Sequence, residues 1–333
     1  MTFDQTLKTT LYLAVAQLKA ANHLNSHDAN LEVSDTESSA FEARILLQHL
    51  LNVNHAWLIA HEHDALQANI HEAYGALINR RVNGEPIAYI LGYQEFYGLK
   101  LKVSVDTLIP RPDTETLVDA ALAKISFMVR QAHQERNLLN PTRPEPVEGC
   151  GNVAISTISE TVQPLHILDL GIGSGAIALA IAKQRPHTFV TAVDACQAAL
   201  DIAIENAQSL NISNVNFLLS NWFDAFKLND DHKKFDVIVS NPPYIEALDE
   251  HLNQGDLRFE PLSALASGVD GLDDIRKIIT QAPQHLIPQG WLLLEHGYNQ
   301  ADAVALLLKR TGFSDIEHVK DLAGINRVTI GRI

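Results

Sequence analysis

Cysteine is nearly absent from this chain of 333 residues, which carries only Cys150 and Cys196. Two cysteines build no disulfide framework, and a reducing cytoplasm is the simplest setting for such a composition. Long hydrophobic runs are missing too. No apolar stretch approaches the roughly 18 residues of a membrane span, so no membrane partner is expected. The opening residues Met1-Thr2-Phe3-Asp4-Gln5 place no basic segment ahead of an apolar core, so they do not read as a secretory signal. Positive charge is scarce: 25 Lys and Arg face 40 Asp and Glu, a formal net charge of −15. Proteins that grip duplex nucleic acid usually present a basic face, so direct DNA binding is not expected.

What is present fits a soluble globular protein, 46% hydrophobic and long enough for two domains or one large one. Residues 1–83 read as a small helical bundle. Leu7, Leu11, Ala14 and Leu18 fall on one helical face. Ser34-Asp35-Thr36-Glu37 resembles a capping box ahead of a second helix. A short helix is expected around residues 56–59 and a longer one from about Leu66 to Asn83-Gly84, with residues 23–35 as a loop. Histidines are frequent here, but His61-Glu62-His63 has a spacing that does not put both imidazoles on one helical face. A metal site is rejected in favour of surface histidines.

Residues 84–112 read as a β-hairpin linker, because apolar stretches flank Gly92 and Gly98 and Leu99, Leu101 and Val103 alternate with lysines. Asp113 can cap the helix that follows. The segment 131–163, rich in Pro, Gly, Ser and Thr, fits no periodic pattern and is expected to be a disordered surface insertion. From Leu165 strands and helices alternate, the mark of a parallel sheet with crossover helices. Strands are expected at 165–169, 188–193, 215–219, 235–240, 290–295, 314–319 and 326–332, and helices near 176–184, 198–210, 274–286 and 299–311.

Two stretches in this region carry chemistry. In the first, Asp169-Leu170-Gly171-Ile172-Gly173-Ser174-Gly175 joins a strand to a helix start. Glycines let the backbone turn tightly and approach a ligand, and the helix N-terminus adds positive potential. Asp194 ends the next strand, where an acid can accept from both ribose hydroxyls of a nucleoside cofactor. The loop satisfies a loose dinucleotide fingerprint and also the loop that binds S-adenosylmethionine (SAM). An acid at Asp169 would meet an ammonium group and would suit a pyrophosphate poorly, which favours SAM. Beyond the third strand, Asn221 and Trp222 could grip adenine; Trp222 is equally readable as a core aromatic.

In the second stretch, the buried strand Phe235-Asp236-Val237-Ile238-Val239-Ser240 stops at Asn241-Pro242-Pro243-Tyr244. Proline has no N–H for a ladder, so the strand must end there. Asn-Pro alone is an ordinary turn opener, but the carboxyl end of a strand in an open α/β sheet is also where ligands bind.

These residues resemble the PrmC (HemK) family of peptide-chain release factor glutamine methyltransferases. The resemblance is carried by Gly84-Glu85-Pro86-Ile87-Ala88-Tyr89, Glu95-Phe96-Tyr97, Ile109-Pro110-Arg111-Pro112-Asp113-Thr114-Glu115, the Asp169–Gly175 loop, Ser240–Ile245, Gln254-Gly255-Asp256-Leu257-Arg258-Phe259-Glu260-Pro261 and Leu293-Leu294-Glu295-His296-Gly297. It spans nearly the whole chain except 131–163. It implies a Rossmann-like α/β methyltransferase fold over 113–333, with a mostly parallel seven-stranded sheet. It also implies an N-terminal helical bundle for substrate recognition and a hairpin linker. The implied reaction is SAM-dependent methylation of the glutamine amide nitrogen in the Gly-Gly-Gln motif of class I release factors, in support of translation termination. Cofactor contacts are implied at Gly171, Ile172, Gly173, Ser174, Gly175, Asp194, Trp222 and Asn241, and substrate contacts at Asn241, Pro242, Pro243 and Tyr244. Asn221 departs from the family's frequent Asp, with weaker adenine recognition expected.

An amide nitrogen is a poor nucleophile, so such an enzyme mainly needs alignment and acceptors for its N–H groups. Asn241 Oδ1 and the Pro242 carbonyl are the expected acceptors and hence the catalytic pair. The long connection 245–274 reads as a substrate-side lid. Two rival functions remain open: an amino-methyltransferase acting on adenine in nucleic acid, and a non-catalytic SAM- or dinucleotide-binding module.

Overall fold

The computed structural model of the protein describes residues 6–25, 32–139, 164–226 and 234–333. These residues divide into two units. The first takes in Met1–Gln94, Val103–Val105 and Glu250–Pro261; the second takes in Glu95–Lys102, Asp106–Asp249 and Leu262–Ile333.

The first unit is helical: α1 (Leu7–Asn25), α2 (Glu32–Leu51), α3 (His55–Ala60), α4 (Ala68–Val82) and α5 (Ile87–Leu91). Its core gathers Leu7, Ala14 and Leu18 from the expected face of α1 with Leu46, Leu47, Tyr74 and Ile78. The buried Tyr74 hydroxyl donates to the Ala43 carbonyl at 2.8 Å, so that aromatic leaves no polar atom orphaned. Two expectations need correction. Helix α2 begins at Glu32, so Ser34 lies inside it and not ahead of it. Ile87–Leu91, read as half of a hairpin, is a helical turn: Pro86 precedes it with a fixed φ, and Gly92 closes it in the left-handed region at φ 77°. A run of five apolar residues has no periodicity by which to choose between the two. Asn54 Oδ1 caps α3 by accepting the Trp57 N–H at 2.9 Å. The His61 ring stacks on Trp57 at 4.0 Å. Among the described residues, no three His, Cys, Asp or Glu side chains gather as a metal-binding group.

Residues 250–261 belong to this same unit as two 3₁₀ turns, Glu250–Asn253 and Leu257–Phe259. Arg81 is the tie. Its guanidinium meets Glu42 through two bonds of 3.0 and 2.8 Å and Asp256 through one of 2.9 Å. The Arg258 guanidinium donates to the Asn83 carbonyl at 2.8 Å.

A two-stranded hairpin follows, β1 (Tyr93–Phe96) and β2 (Leu99–Lys102), which lies in the second unit from Glu95 on. Its turn residues Tyr97 and Gly98 both have positive φ, 51° and 71°, as a two-residue turn of matching twist requires. A 3₁₀ turn at Pro112–Thr114 leads into α6 (Glu115–Leu139), which continues past residue 131 into the segment read as an insertion; residues 140–163 lie outside the described residues. Asp113 is the middle residue of that 3₁₀ turn. Then follow β3 (His166–Leu170), α7 (Ala176–Gln184), β4 (Phe189–Asp194), α8 (Gln197–Ser209), β5 (Val215–Leu219), β6 (Phe235–Ser240), α9 (Asp273–His285), β7 (Leu286–Glu295), α10 (Ala301–Arg310), β8 (Ser314–Lys320) and β9 (Asn326–Arg332).

The sheet order is β5-β4-β3-β6-β7-β9-β8. Strands β3 to β7 pair in parallel, and β9 runs antiparallel to both β7 and β8. The fold is thus the Rossmann-like α/β architecture with a mostly parallel seven-stranded sheet, accompanied by the helical unit and the small hairpin. The central strands are buried on both faces, which is why they read as unbroken apolar runs. The chain winds outward from β3 through β4 to β5, then returns to lay β6 on the other flank of β3. That reversal is a topological switch point, and it brings the carboxyl ends of β3 and β6 side by side, with Leu170 opposite Ser240.

Candidate active site

Both motif loops leave the sheet at this switch point. After β3 the backbone turns through Gly171 at φ 75°, Gly173 at 54° and Gly175 at 91°. The three glycines do different work. A Cβ on Gly173 would meet nothing within 4 Å, so this residue offers open backbone. A Cβ on Gly171 would come within 3.4 Å of the Trp222 ring. One on Gly175 would press on Leu179 at 2.9 Å and Ala203 at 3.3 Å, so this glycine lets α7 pack against α8. Ile172 and Ser174 are buried at 5% and 3% exposure. Ser174 leans on α8, its carbonyl accepting from Asn206 Nδ2 at 2.8 Å.

Two acids hold this loop. Asp169, at 0% exposure, accepts the Ala178 N–H on Oδ2 at 3.0 Å, anchoring the first turn of α7; its Oδ1 is buried without a partner. Burial pushes its carboxyl up to about 7; the Ala178 bond opposes this and nearby Asp194 adds to it. Asp194 accepts the Gly173 N–H and the Cys196 N–H, each at 2.9 Å, and so joins the end of β4 to the loop after β3. Burial also raises its carboxyl, against those backbone donors.

Beyond β5, Trp222 sits at φ 50°, in the left-handed region that non-glycine residues rarely enter. The Ser220 hydroxyl secures this turn, donating to the Trp222 carbonyl and accepting the Ala225 N–H, both at 2.9 Å. The indole packs on a hydrophobic cluster, and its Nε1 donates to Asp274 at 3.3 Å. Trp222 is thus in part a packing residue, and its ring edge faces Gly171. Asn221 precedes Trp222 in the chain. It lines a cleft of about 270 Å³ with Ala195, Leu219, Ser220, Asp224 and Ala225.

The loop after β6 is held from three sides. Asn241 Nδ2 donates to the Thr114 hydroxyl at 3.2 Å. The Tyr244 carbonyl accepts from Gln300 Nε2 at 3.0 Å, and the Tyr244 hydroxyl reaches Glu295 Oε1 at 3.5 Å. Pro242 is buried, and Pro243 and Tyr244 are half-buried. Beyond it, Ile245 and Leu265–Ser267 bond backbone to backbone, with Ile245 N to Leu265 O and Ser267 N to Ile245 O both at 2.9 Å. Burial is the main cause that raises the Tyr244 hydroxyl, with the Glu295 carboxylate next. Glu295 closes the set. It is 1% exposed at the end of β7, it accepts the Thr114 hydroxyl, and burial pushes it up to about 7. Arg327 lies near it, paired with Asp113 at 3.2 Å and Asp321 at 3.1 Å. Asp113 therefore serves this cluster.

Sequence reasoning gave no role to Thr114, Glu295, Gln300 or Gly271. Gly271, at φ 71°, passes so close to the loop that a Cβ there would sit 2.2 Å from the Tyr244 carbonyl oxygen. The family segments around residues 109–115 and 293–297 flagged the right stretches without saying what they touch.

The chain is similar to known proteins over most of its length. The family model described as PrmC N-terminal domain matches residues 23–92, and the one described as methyltransferase domain matches residues 162–321. The release factor glutamine methyltransferase of Salmonella typhimurium is 42% identical over 306 residues, covering 92% of this chain and 96% of that protein. The protein of the same name from Vibrio cholerae is 41% identical over 317 residues, covering 95% and 96%. Among solved structures, the human methyltransferase 10 domain containing protein is similar at 14% identity and a TM-score of 0.46, over 71% of this chain and 88% of that one.

Proposed function

Since this chain belongs to the release factor glutamine methyltransferase family, we propose that it methylates the side-chain amide nitrogen of the glutamine in the Gly-Gly-Gln motif of class I peptide-chain release factors, with SAM as methyl donor. The observation that carries the reading is the pinned Asn241: Thr114 takes its Nδ2, which leaves Oδ1 to accept an N–H from another planar amide.

The residues around the β3 loop suit SAM. Gly173 offers open backbone, Asp194 stands at the loop for a ribose, and the Asp169 Oδ1 is an unpaired acceptor for a cation. The cleft lined by Ala195, Asn221 and Ala225 follows directly after Asp194 and Ser220, where an adenine would extend. When bound, SAM supplies an electrophilic methyl on a sulfonium with a neutral leaving group. The protein's own work is alignment. Asn241 Oδ1 accepts one amide N–H of the glutamine, and the Pro242 carbonyl accepts the other. Two acceptors orient the –NH₂ group and favour positive charge as it develops on nitrogen. Pro242 and Pro243 stiffen the backbone that presents that carbonyl. Tyr244 gives a flat surface beside the amide. The alkylated nitrogen is acidic and releases one proton to water, so an uncharged motif suffices.

The test is mass spectrometry of Gly-Gly-Gln peptides from a class I release factor incubated with the protein and labelled SAM, with DNA as the parallel acceptor. A methyl mass on the glutamine is the expected result. Label on DNA adenine, with none on the peptide, would move the function to the nucleic-acid reading; SAM binding without transfer to either would leave only a binding module.

A further inference from the structure

The chain's register brings three distant residues into line. Leu294 on β7 lies opposite Ser240 on β6, so Glu295 and Asn241 leave adjacent strands at the same level. Thr114 enters from the 3₁₀ turn Pro112–Thr114. It is 4% exposed, and its hydroxyl touches both: it donates to Glu295 and accepts from Asn241 Nδ2 at 3.2 Å.

A hydroxyl has one proton and two lone pairs. With its proton committed to Glu295, Thr114 can offer only a lone pair to Asn241. The Asn241 amide must then turn its –NH₂ toward Thr114, because the opposite orientation would set two acceptors against each other. We infer that Thr114 and Glu295 are positioning residues for the transfer: Glu295 sets the direction of the Thr114 hydroxyl, and that hydroxyl sets which end of the Asn241 amide faces the acceptor glutamine. The inference rests on the reading of Asn241 as the clamp on the substrate amide.

The relay survives a change of protonation. Of the two Glu295 carboxyl oxygens, Oε1 faces the Tyr244 hydroxyl while Oε2 is buried without a partner. Thr114, Tyr244 and Arg327 favour the charged carboxylate against burial and the nearby Asp113. When the carboxyl takes up a proton, Oε2 is the vacant place for it, and Oε1 remains an acceptor. A glutamine at position 295 would keep the same carbonyl acceptor, whereas a methionine would remove it.

The experiment measures kcat, KM for a class I release factor and SAM affinity for full-length Thr114→Val, Thr114→Ser, Glu295→Gln, Glu295→Met and Asn241→Ala, each checked for thermal unfolding. Val keeps the shape of Thr without the hydroxyl, so kcat should fall roughly 10- to 100-fold, the scale of a misaligned reacting group, with SAM affinity unchanged. Ser should recover about tenfold over Val, and Gln should exceed Met by a similar factor. In an Asn241→Ala background Thr114→Val should add less than about a twofold effect, because a residue that acts through another is silent once that other is gone. Wild-type kcat in Thr114→Val, a Ser variant no better than Val, or an undiminished Val effect in the Ala background would each overturn the inference. Should Asn241→Ala itself turn over normally, the clamp reading fails; should Asn241→Ala be impaired and Thr114→Val not, only the relay fails.

Discussion

Replacing Gly271 by alanine should damage the site from a distance in sequence of some thirty residues. The added Cβ would lie 2.2 Å from the Tyr244 carbonyl oxygen and 2.7 Å from Gln300 Nε2, the donor that holds that carbonyl. Three costs add. An L-residue at φ 71° costs about 1–2 kcal/mol. Forcing an extra carbon into a filled space costs about 1–3 kcal/mol. Breaking the Gln300 bond removes about 1 kcal/mol more. The sum is roughly 3–6 kcal/mol, or about 6–12 °C in Tm at about 2 °C per kcal/mol. The backbone of Tyr244 must also shift by about an ångström, enough to reduce kcat on the order of 100-fold. Differential scanning calorimetry and a methyl-transfer assay read the two effects. Gly324→Ala is the control: its φ is 82°, but a Cβ there meets nothing within 4 Å. It should lose only about 1–2 kcal/mol and keep full turnover. If Gly271→Ala matched Gly324→Ala in both Tm and kcat, the claimed contact would be wrong.

Three further outcomes are expected. Asn241→Ala should fold and bind SAM with wild-type affinity yet lose at least about 100-fold in kcat; near-normal turnover would remove Asn241 from the clamp. Asp169 makes stability fall as pH rises, because its folded-state carboxyl titrates near 7 instead of its ordinary 3.8. Its contribution is full below about pH 4 and is lost on the way to 7, a loss of about 3 kcal/mol between pH 5 and 8. Urea unfolding of Asp169→Asn should show a correspondingly flatter pH dependence than the wild type, and identical slopes would contradict this. Arg81→Met leaves Glu42, 13% exposed, facing no cation and frees Asp256. It should cost about 3 kcal/mol and speed tryptic cleavage after Arg258, which gel analysis would show; an unchanged digest would mean that Arg81 does not hold that segment.

The parallel strands were legible because burial on both faces leaves little but β-branched and aliphatic residues, as in Val237-Ile238-Val239. The glycine loop and Asp194 were legible because their spacing is local: one βαβ unit contains both. Asn241 was legible because Pro242 and Pro243 mark where a strand must stop. What supports Asn241 was not. Thr114, Glu295, Gln300 and Gly271 come from four separate segments, and only strand register and loop packing join them, so no window of sequence contains the signal. The separate jobs of Gly171, Gly173 and Gly175 were hidden for a related reason, since a glycine's letter does not say what would occupy the space of its missing Cβ. Ile87–Leu91 failed as a strand because its flanking Pro86 and Gly92 suit a helical turn as well as a hairpin.

The excursion of residues 250–261 into the helical unit has a consequence for how the chain is made. That unit draws on three stretches of one polypeptide, and Arg81 waits for a partner that lies 175 positions downstream. At about 5–20 residues per second of synthesis, roughly ten to thirty seconds separate the emergence of the amino-terminal helices from that of Asp256. During that interval the helical unit exists without its last piece. Its completion is therefore a post-synthetic event for the amino-terminal third of the protein, timed by the ribosome's passage through most of the sheet.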